Sequence, residues 1–194
     1  HVPAILHISQ SSQELGNGLA DVIFGKSSPA GRLVQTWPTS IDNLLPILDY
    51  NIRHGRTYLY DKNPPLFPFG HGLTYTTFKY SNLKTQKPTV KDGETINITF
   101  TLENTGNFDS DEVVQVYVSF PDSKVERPAI ALKGFKRVSV PKGKSMEVTV
   151  PVNTDELKYW DVDKHAFVLE KGKVNIAVGA SSADLFLNGS INIQ

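Results

Sequence analysis

The chain has 194 residues, 39% of them hydrophobic and 21% charged, with 20 basic and 20 acidic side chains. That balance suits one large or two modest globular domains and leaves no net field to favour nucleic acid or an anionic membrane. Cysteine is absent, which excludes disulfides, thiolate nucleophiles and cysteine-ligated zinc, and no run approaches the roughly 18 apolar residues of a membrane helix.

Residues 1 to about 36 read as α/β. The opening HVPAILHISQ has no basic stretch ahead of an apolar core, so it is not a signal peptide. It begins on a strand-like run, VPAILHI, and is expected to be the cut edge of a longer protein. SQELGNGLADVIFG carries Leu15, Leu19, Val22 and Ile23 at helical spacing. The helix is expected to start near Ser11 or Ser12, where a serine caps free amides, and to stop at Gly25. Pro29 and Gly31 then mark a turn before a strand from Leu33 to Trp37.

From residue 38 to 77 the texture changes. Proline and glycine interrupt any periodicity, and aromatic rings are frequent, among them Tyr50, Tyr58, Tyr60, Phe67, Phe69 and Tyr75. Disordered chain is poor in such rings. The segment therefore reads as an extended arm anchored by its aromatics against another surface.

From Phe78 onward the pattern is all β. TINITFTLE alternates strictly, with Ile96, Ile98, Phe100 and Leu102 on one face. VVQVYVSF, IALKGFKRVSV, MEVTVPV, VNIAVGA and LFLNGSINI follow, separated by turn signals such as NTGN, PKGK and EKGK. With SNLK this makes about seven short strands, a number suited to an immunoglobulin- or fibronectin type III-like sandwich.

Several residues are candidates for chemistry. GHG at 70–72 resembles part of a phosphate loop, but Pro68 precedes it and a strand pattern follows, where such a loop needs a helix N-terminus. The alternative is a sharp turn with His71 partly exposed. Asp49, His54 and Arg56, with Asp61 nearby, could form an acid/base cluster, although no GxSxG elbow supplies a serine. Arg56 beside Tyr58 and Tyr60 could instead stack on a ring or pair with a carboxylate. The five histidines are scattered without metal-ligand spacing. Asp109, Asp111 and Glu112 in FDSDE fit either a calcium loop or a solvated turn. Trp160 in LKYWD is a candidate sugar platform, the other reading being a ring buried between sheets. Asn97-Ile-Thr99 and Asn188-Gly-Ser190 are formal glycosylation sequons within strand patterns.

The order of the motifs carries a family resemblance. SQELGNGLADVIFGKSSPAGRLVQTWP, then HGRTYLYDKNPPLFPFGHGLTYTTFKYSNL, then EVVQVYVSFPDSKVERPAIALKGFKRVSVPKGKSMEVTVPV and FVLEKGKVNIAVGASSADL, resemble in sequence order the C-terminal region of glycoside hydrolase family 3. The resemblance spans essentially the whole chain. It implies a mainly β fold: residues 1–37 as the end of an α/β sandwich domain, 38–77 as a connector arm, and 78–194 as a fibronectin type III-like β-sandwich. Small departures, Ser9 to Ser12 and Val34-Gln35, put the subfamily and sugar preference in question.

For the whole protein the resemblance implies a retaining β-glycosidase acting on terminal β-glucosyl, alternatively β-xylosyl, units, with two carboxyl groups about 5 Å apart flanking the bond and no metal or organic cofactor. Both carboxyl groups, a barrel Asp and a Glu ahead of the SQELGN motif, are expected upstream of His1, so Glu14 takes no catalytic role. Arg56, Tyr58, Tyr60, Phe67, Phe69, Tyr75 and Phe78 are expected to pack against the upstream barrel and α/β domains, which would bind the glycoside. A periplasmic or secreted location is expected. A stand-alone carbohydrate-binding or adhesion module is the alternative.

Overall fold

The computed structural model describes residues 2–8 and 13–194. Its body is two antiparallel-dominated sheets facing across one core. The first sheet has the order β1-β3-β6, formed by β1 (Phe78–Thr85), β3 (Thr95–Asn104) and β6 (Ser145–Asn153). The second has the order β2-β10-β9-β4-β5. Its members are β2 (Thr89–Val90), β4 (Ser110–Ser119), β5 (Ala131–Val140), β9 (Gly172–Gly179) and β10 (Leu185–Ile193). Only β2 pairs in parallel, with the end of β10. All seven strands read from alternation are present. The two-residue β2 and a hairpin of β7 (Tyr159–Asp161) and β8 (Ala166–Val168) are additions.

Alternation decides which side chains meet. Ile96, Ile98, Phe100 and Leu102 of β3 and Val148, Val150 and Val152 of β6 face Val114, Val116 and Val118 of β4 and Val174, Ile176 and Val178 of β9, all fully buried. Each such side chain stabilises the fold by about 1.5–3 kcal/mol relative to exposure. Gly134 of β5 leaves room for β6: a Cβ there would lie 2.7 Å from a methyl of Val150.

At the N-terminal end a helix, α1, runs Leu15–Ile23. The serines expected to cap it lie outside the described residues. Its first flanking residue is Glu14, in the left-handed region with no side-chain cap. Its end follows the sequence reading: Gly25 at φ 71° donates to the carbonyl of Val22 at 3.0 Å. The two strands expected here are not formed. Residues 2–8 contain no strand, and the segment from Leu33 to Trp37 contributes only an isolated bridge, Trp37 to Phe67. A strand needs a neighbour to complete its ladder. The neighbour of 33–37 is the arm, where Pro68 has no amide proton to continue the pairing.

Candidate functional site

The most elaborated region joins the N-terminal segment, the arm and the sandwich. The arm returns antiparallel to residues 31–37: the Leu33 amide donates to His71 O at 2.9 Å, the Gly70 amide to Leu33 O at 2.8 Å, and the Trp37 amide to Phe67 O at 2.9 Å. Two glycines permit this approach. A Cβ at Gly72 would stand 2.2 Å from the carbonyl oxygen of Gly31, and one at Gly70, where φ is 81°, would stand 2.1 Å from the side-chain oxygen of Gln115. His71 is therefore part of a turn, half-buried and stacked on Phe67 at 5.3 Å.

Across this turn Arg32 reaches the sandwich. Its Nη2 lies 2.8 Å from Glu112 Oε2, and Tyr80 donates its hydroxyl to Glu112 Oε1 at 3.0 Å. Burial, then the neighbouring Glu112 carboxylate, pushes the Tyr80 phenol far up, so it remains a donor at any physiological pH. Next to this triad the Gln115 amide donates to Gly70 O at 3.1 Å, and Tyr117 donates to Gln115 Oε1 at 2.6 Å. Burial and nearby Tyr58 hold the Tyr117 phenol protonated as well. Among the described residues, the Arg32 Nε, Thr36 Oγ1 and Trp37 Nε1 are buried without a hydrogen-bond partner.

The arm residues expected to pack between domains all meet neighbours within this chain. Tyr58 stacks on Phe69 at 4.4 Å, stands edge-on to Tyr117 at 6.1 Å and accepts from the Leu132 amide at 3.0 Å. The Phe69 carbonyl accepts from the Ser182 amide at 2.9 Å. Phe67 lies between Trp37 and His71. Tyr75 donates to Val22 O at 2.8 Å, tying α1 to the start of the sandwich, and Phe78 packs on the core. Tyr60 is half-buried. Of the two arrangements expected for Arg56, stacking on a ring or pairing with a carboxylate, it lies over a ring, that of Tyr50 instead of Tyr58 or Tyr60. It donates to Pro46 O at 2.9 Å and to Asp49 O, with its guanidinium 5.9 Å from the Tyr50 ring.

Asp49 and His54 do meet, at 2.7 Å through Nδ1, and Asn51 lies 3.0 Å from Nε2. The hydrogen bond from His54, then that from the Asn51 amide, holds the Asp49 carboxyl below its usual range. This is a turn-stabilising set: Asp61 instead accepts from the Asn63 amide at 2.9 Å in its own turn, and Arg56 is spent on backbone carbonyls. The acidic loop divides. Asp109 accepts from the Lys142 amide at 2.8 Å, Asp111 pairs with Arg137 at 2.6 Å, and Glu112 turns inward to Arg32. Among the described residues no group of three or more acidic and histidine side chains is placed to hold a metal. Trp160 is 51% exposed on the β7–β8 hairpin, edge-on to Phe167 at 5.2 Å, so its ring is not buried between sheets. Of the sequons, Asn97 donates to Gln86 at 3.0 Å, whereas Asn188 is exposed on β10.

Glu112 is the residue that sequence reasoning misplaced. The signal was present: it alternates in phase with the inward Val114 and Val116 of β4.

Residues 1–75 match the glycosyl hydrolase family 3 C-terminal domain, and residues 112–182 match the fibronectin type III-like domain. The chain belongs to glycosyl hydrolase family 3. It corresponds to the C-terminal part of that family's proteins, and the two matched regions are the ones that the Arg32–Glu112 pair joins. Among its relatives, a protein from Aspergillus niger named probable β-glucosidase D is 34% identical across 100% of this chain, which covers 29% of that protein. The periplasmic β-glucosidase of Salmonella typhimurium is 32% identical over 93% of the chain and 25% of its own length. The crystal structure of a β-glucosidase from Chaetomella raphigera superposes with a TM-score of 0.85 at 31% identity, over 94% of this chain and 29% of that one. The family 3 chain thus spans under a third of the length of the relatives it matches.

Proposed function

We propose that this chain is the bracing C-terminal portion of a retaining β-glycosidase that hydrolyses terminal β-D-glucosyl residues, and that it is itself without catalytic groups. The carrying observation is a contrast within residues 1–75. One side of this region is fastened to the sandwich through buried bonds. Elsewhere in it Phe24, Val34, Ile47, Leu48 and Tyr50 are each between 78% and 84% exposed, large apolar side chains that a neighbouring domain would bury at a gain. The remaining length of a family 3 protein is a sufficient cover for those side chains. In this reading 1–37 closes the α/β domain, 38–77 connects, and 78–194 is the rigid support. The arm rings, including Tyr58 and Phe69, set the connector's path by packing on the sandwich.

The acid and nucleophile belong to the upstream domains, which also bind the glycoside. The kinship with a protein named as periplasmic favours an extracytoplasmic location. The test is an aryl β-glucoside assay of the purified chain and of the whole protein. Turnover only by the whole protein is expected; turnover by the pure 194-residue chain would overturn the assignment of catalysis elsewhere.

A further inference from the structure

The outward face of the five-stranded sheet carries a second feature. The arm covers its β4–β5 half, where Tyr58 meets Tyr117 and Leu132. Beside that cover lies a cavity of about 340 Å³, lined by Tyr117, Ser119, Ile130, Asn175, Ala177 and Asn188 among others. Strand register builds it. Ala177 of β9 sits opposite Tyr117 on one side and Asn188 on the other, and Asn175 sits opposite Ser119 and Ser190. The short Ala177 between two longer side chains makes the depression. Ser119, Asn175 and Asn188 converge on it, and among the described residues none of the three uses its side chain in a hydrogen bond within the protein.

Among the described residues no charged side chain lines the cavity. Its apolar lining is mostly aliphatic, since Tyr117 is itself fully buried under Tyr58, and its polar groups are neutral amides and a hydroxyl with both donor and acceptor capacity. A phosphate, carboxylate or ammonium ligand would find no counter-charge there, so it would enter at a desolvation cost. A glycosyl unit matches: its hydroxyls pair with amides and its CH face lies on apolar walls, the usual division of labour in a small-molecule site. At about 340 Å³ the cavity is at the small end of the range of small-molecule sites.

We infer that this cavity is an ancillary binding site for a neutral glycosyl unit, built from Asn175, Asn188 and Ser119 over Ala177. The choice of ligand class rests on the β-glycosidase reading; the site itself rests on its lining.

The test uses the 194-residue chain, made in a host that does not glycosylate Asn188, titrated with cellobiose while the Asn175 and Asn188 side-chain amide resonances are followed by NMR. Saturable shifts at millimolar cellobiose are expected, with glucuronate at equal concentration binding more weakly. Asn188→Ala should weaken binding about tenfold, the equivalent of one good hydrogen bond. Ala177→Leu, which fills the depression, should abolish it, while Trp160→Ala on the remote hairpin should leave it unchanged. Absence of shifts at these amides, or shifts that survive Ala177→Leu, would overturn the proposal. Loss of binding in Trp160→Ala alone would move the sugar to the hairpin and overturn it equally. Hydrolysis by the whole protein, measured separately, tells a wrong family reading from a wrong site.

Discussion

Arg32 and Glu112, 80 residues apart, meet at 2.8 Å with side chains only 8% and 3% exposed. The pair locks the segment after α1 onto the second sheet, and Tyr80 saturates the other carboxylate oxygen from the first sheet. Removing either partner strands a buried charge. Glu112→Gln and Arg32→Ala are each expected to cost about 3–5 kcal/mol in urea unfolding. Arg32→Met combined with Glu112→Leu should cost less than either, because no charge is left behind. Since 30–37 can peel away to hydrate Arg32, limited proteolysis of Glu112→Gln should cut first within residues 1–75.

Gly72 and Gly70 differ in what they touch. The Gly72 Cβ position meets a backbone carbonyl, which cannot rotate aside. Gly72→Ala is therefore expected to lower stability by about 2 kcal/mol or more, within the range of overpacking effects. Gly70→Ala would displace the Gln115 amide, which is buried and hydrogen-bonded to Gly70 O and Tyr117, and is strained at φ 81° as well, so a larger loss of about 3 kcal/mol is expected. Thermal unfolding of the two variants checks the order.

Asn104 is fully buried at the end of β3, where its amide donates to Phe108 O at 2.8 Å and Val140 O at 2.9 Å. Its oxygen accepts from the Gly106 amide at 3.1 Å and from the Thr76 hydroxyl. Asn104→Ala should cost about 2–4 kcal/mol, because several groups lose partners together. Asn104→Asp should be worse at pH 7 than at pH 4, since a carboxylate would face two carbonyls. Denaturant midpoints at the two pH values decide this.

Asp111 accepts from Ser139 and pairs with Arg137, and those bonds hold its carboxyl below the ordinary 3.8. Its contribution to stability is thus complete above that ordinary value and is lost as pH falls through the lower folded value. In Asp111→Asn the decline of the urea midpoint below pH 4 should be shallower than in the unaltered chain. Parallel slopes would show that other carboxylates dominate acid unfolding.

Where burial follows from alternation, residue order was sufficient. Ile96 to Leu102 had to face one way because a strand's side chains alternate, and the core formed on that side. Gly25 ended α1 as a left-handed cap, which an L side chain adopts at a cost. Glu112 was also legible by phase, but not its partner: nothing local in GRL relates Arg32 to a strand that far along the chain. The expected strands at 2–8 and 33–37 had the right apolar character and no sheet neighbour to complete them. The short β7–β8 hairpin was hidden because three residues are too few to show a period.

The alternating pattern, the turn residues and the motif order are local properties, so residue order alone was enough for a mainly β family 3 chain with an aromatic arm. That Gly70, His71 and Gly72 are a fastening turn was set by tertiary contact, because it depends on Gly31 and Gln115 approaching the turn from either side of it in the sequence. Long-range closure also placed Asn175 and Asn188 around Ala177, since cross-strand register is set by pairing between segments and not within any one of them.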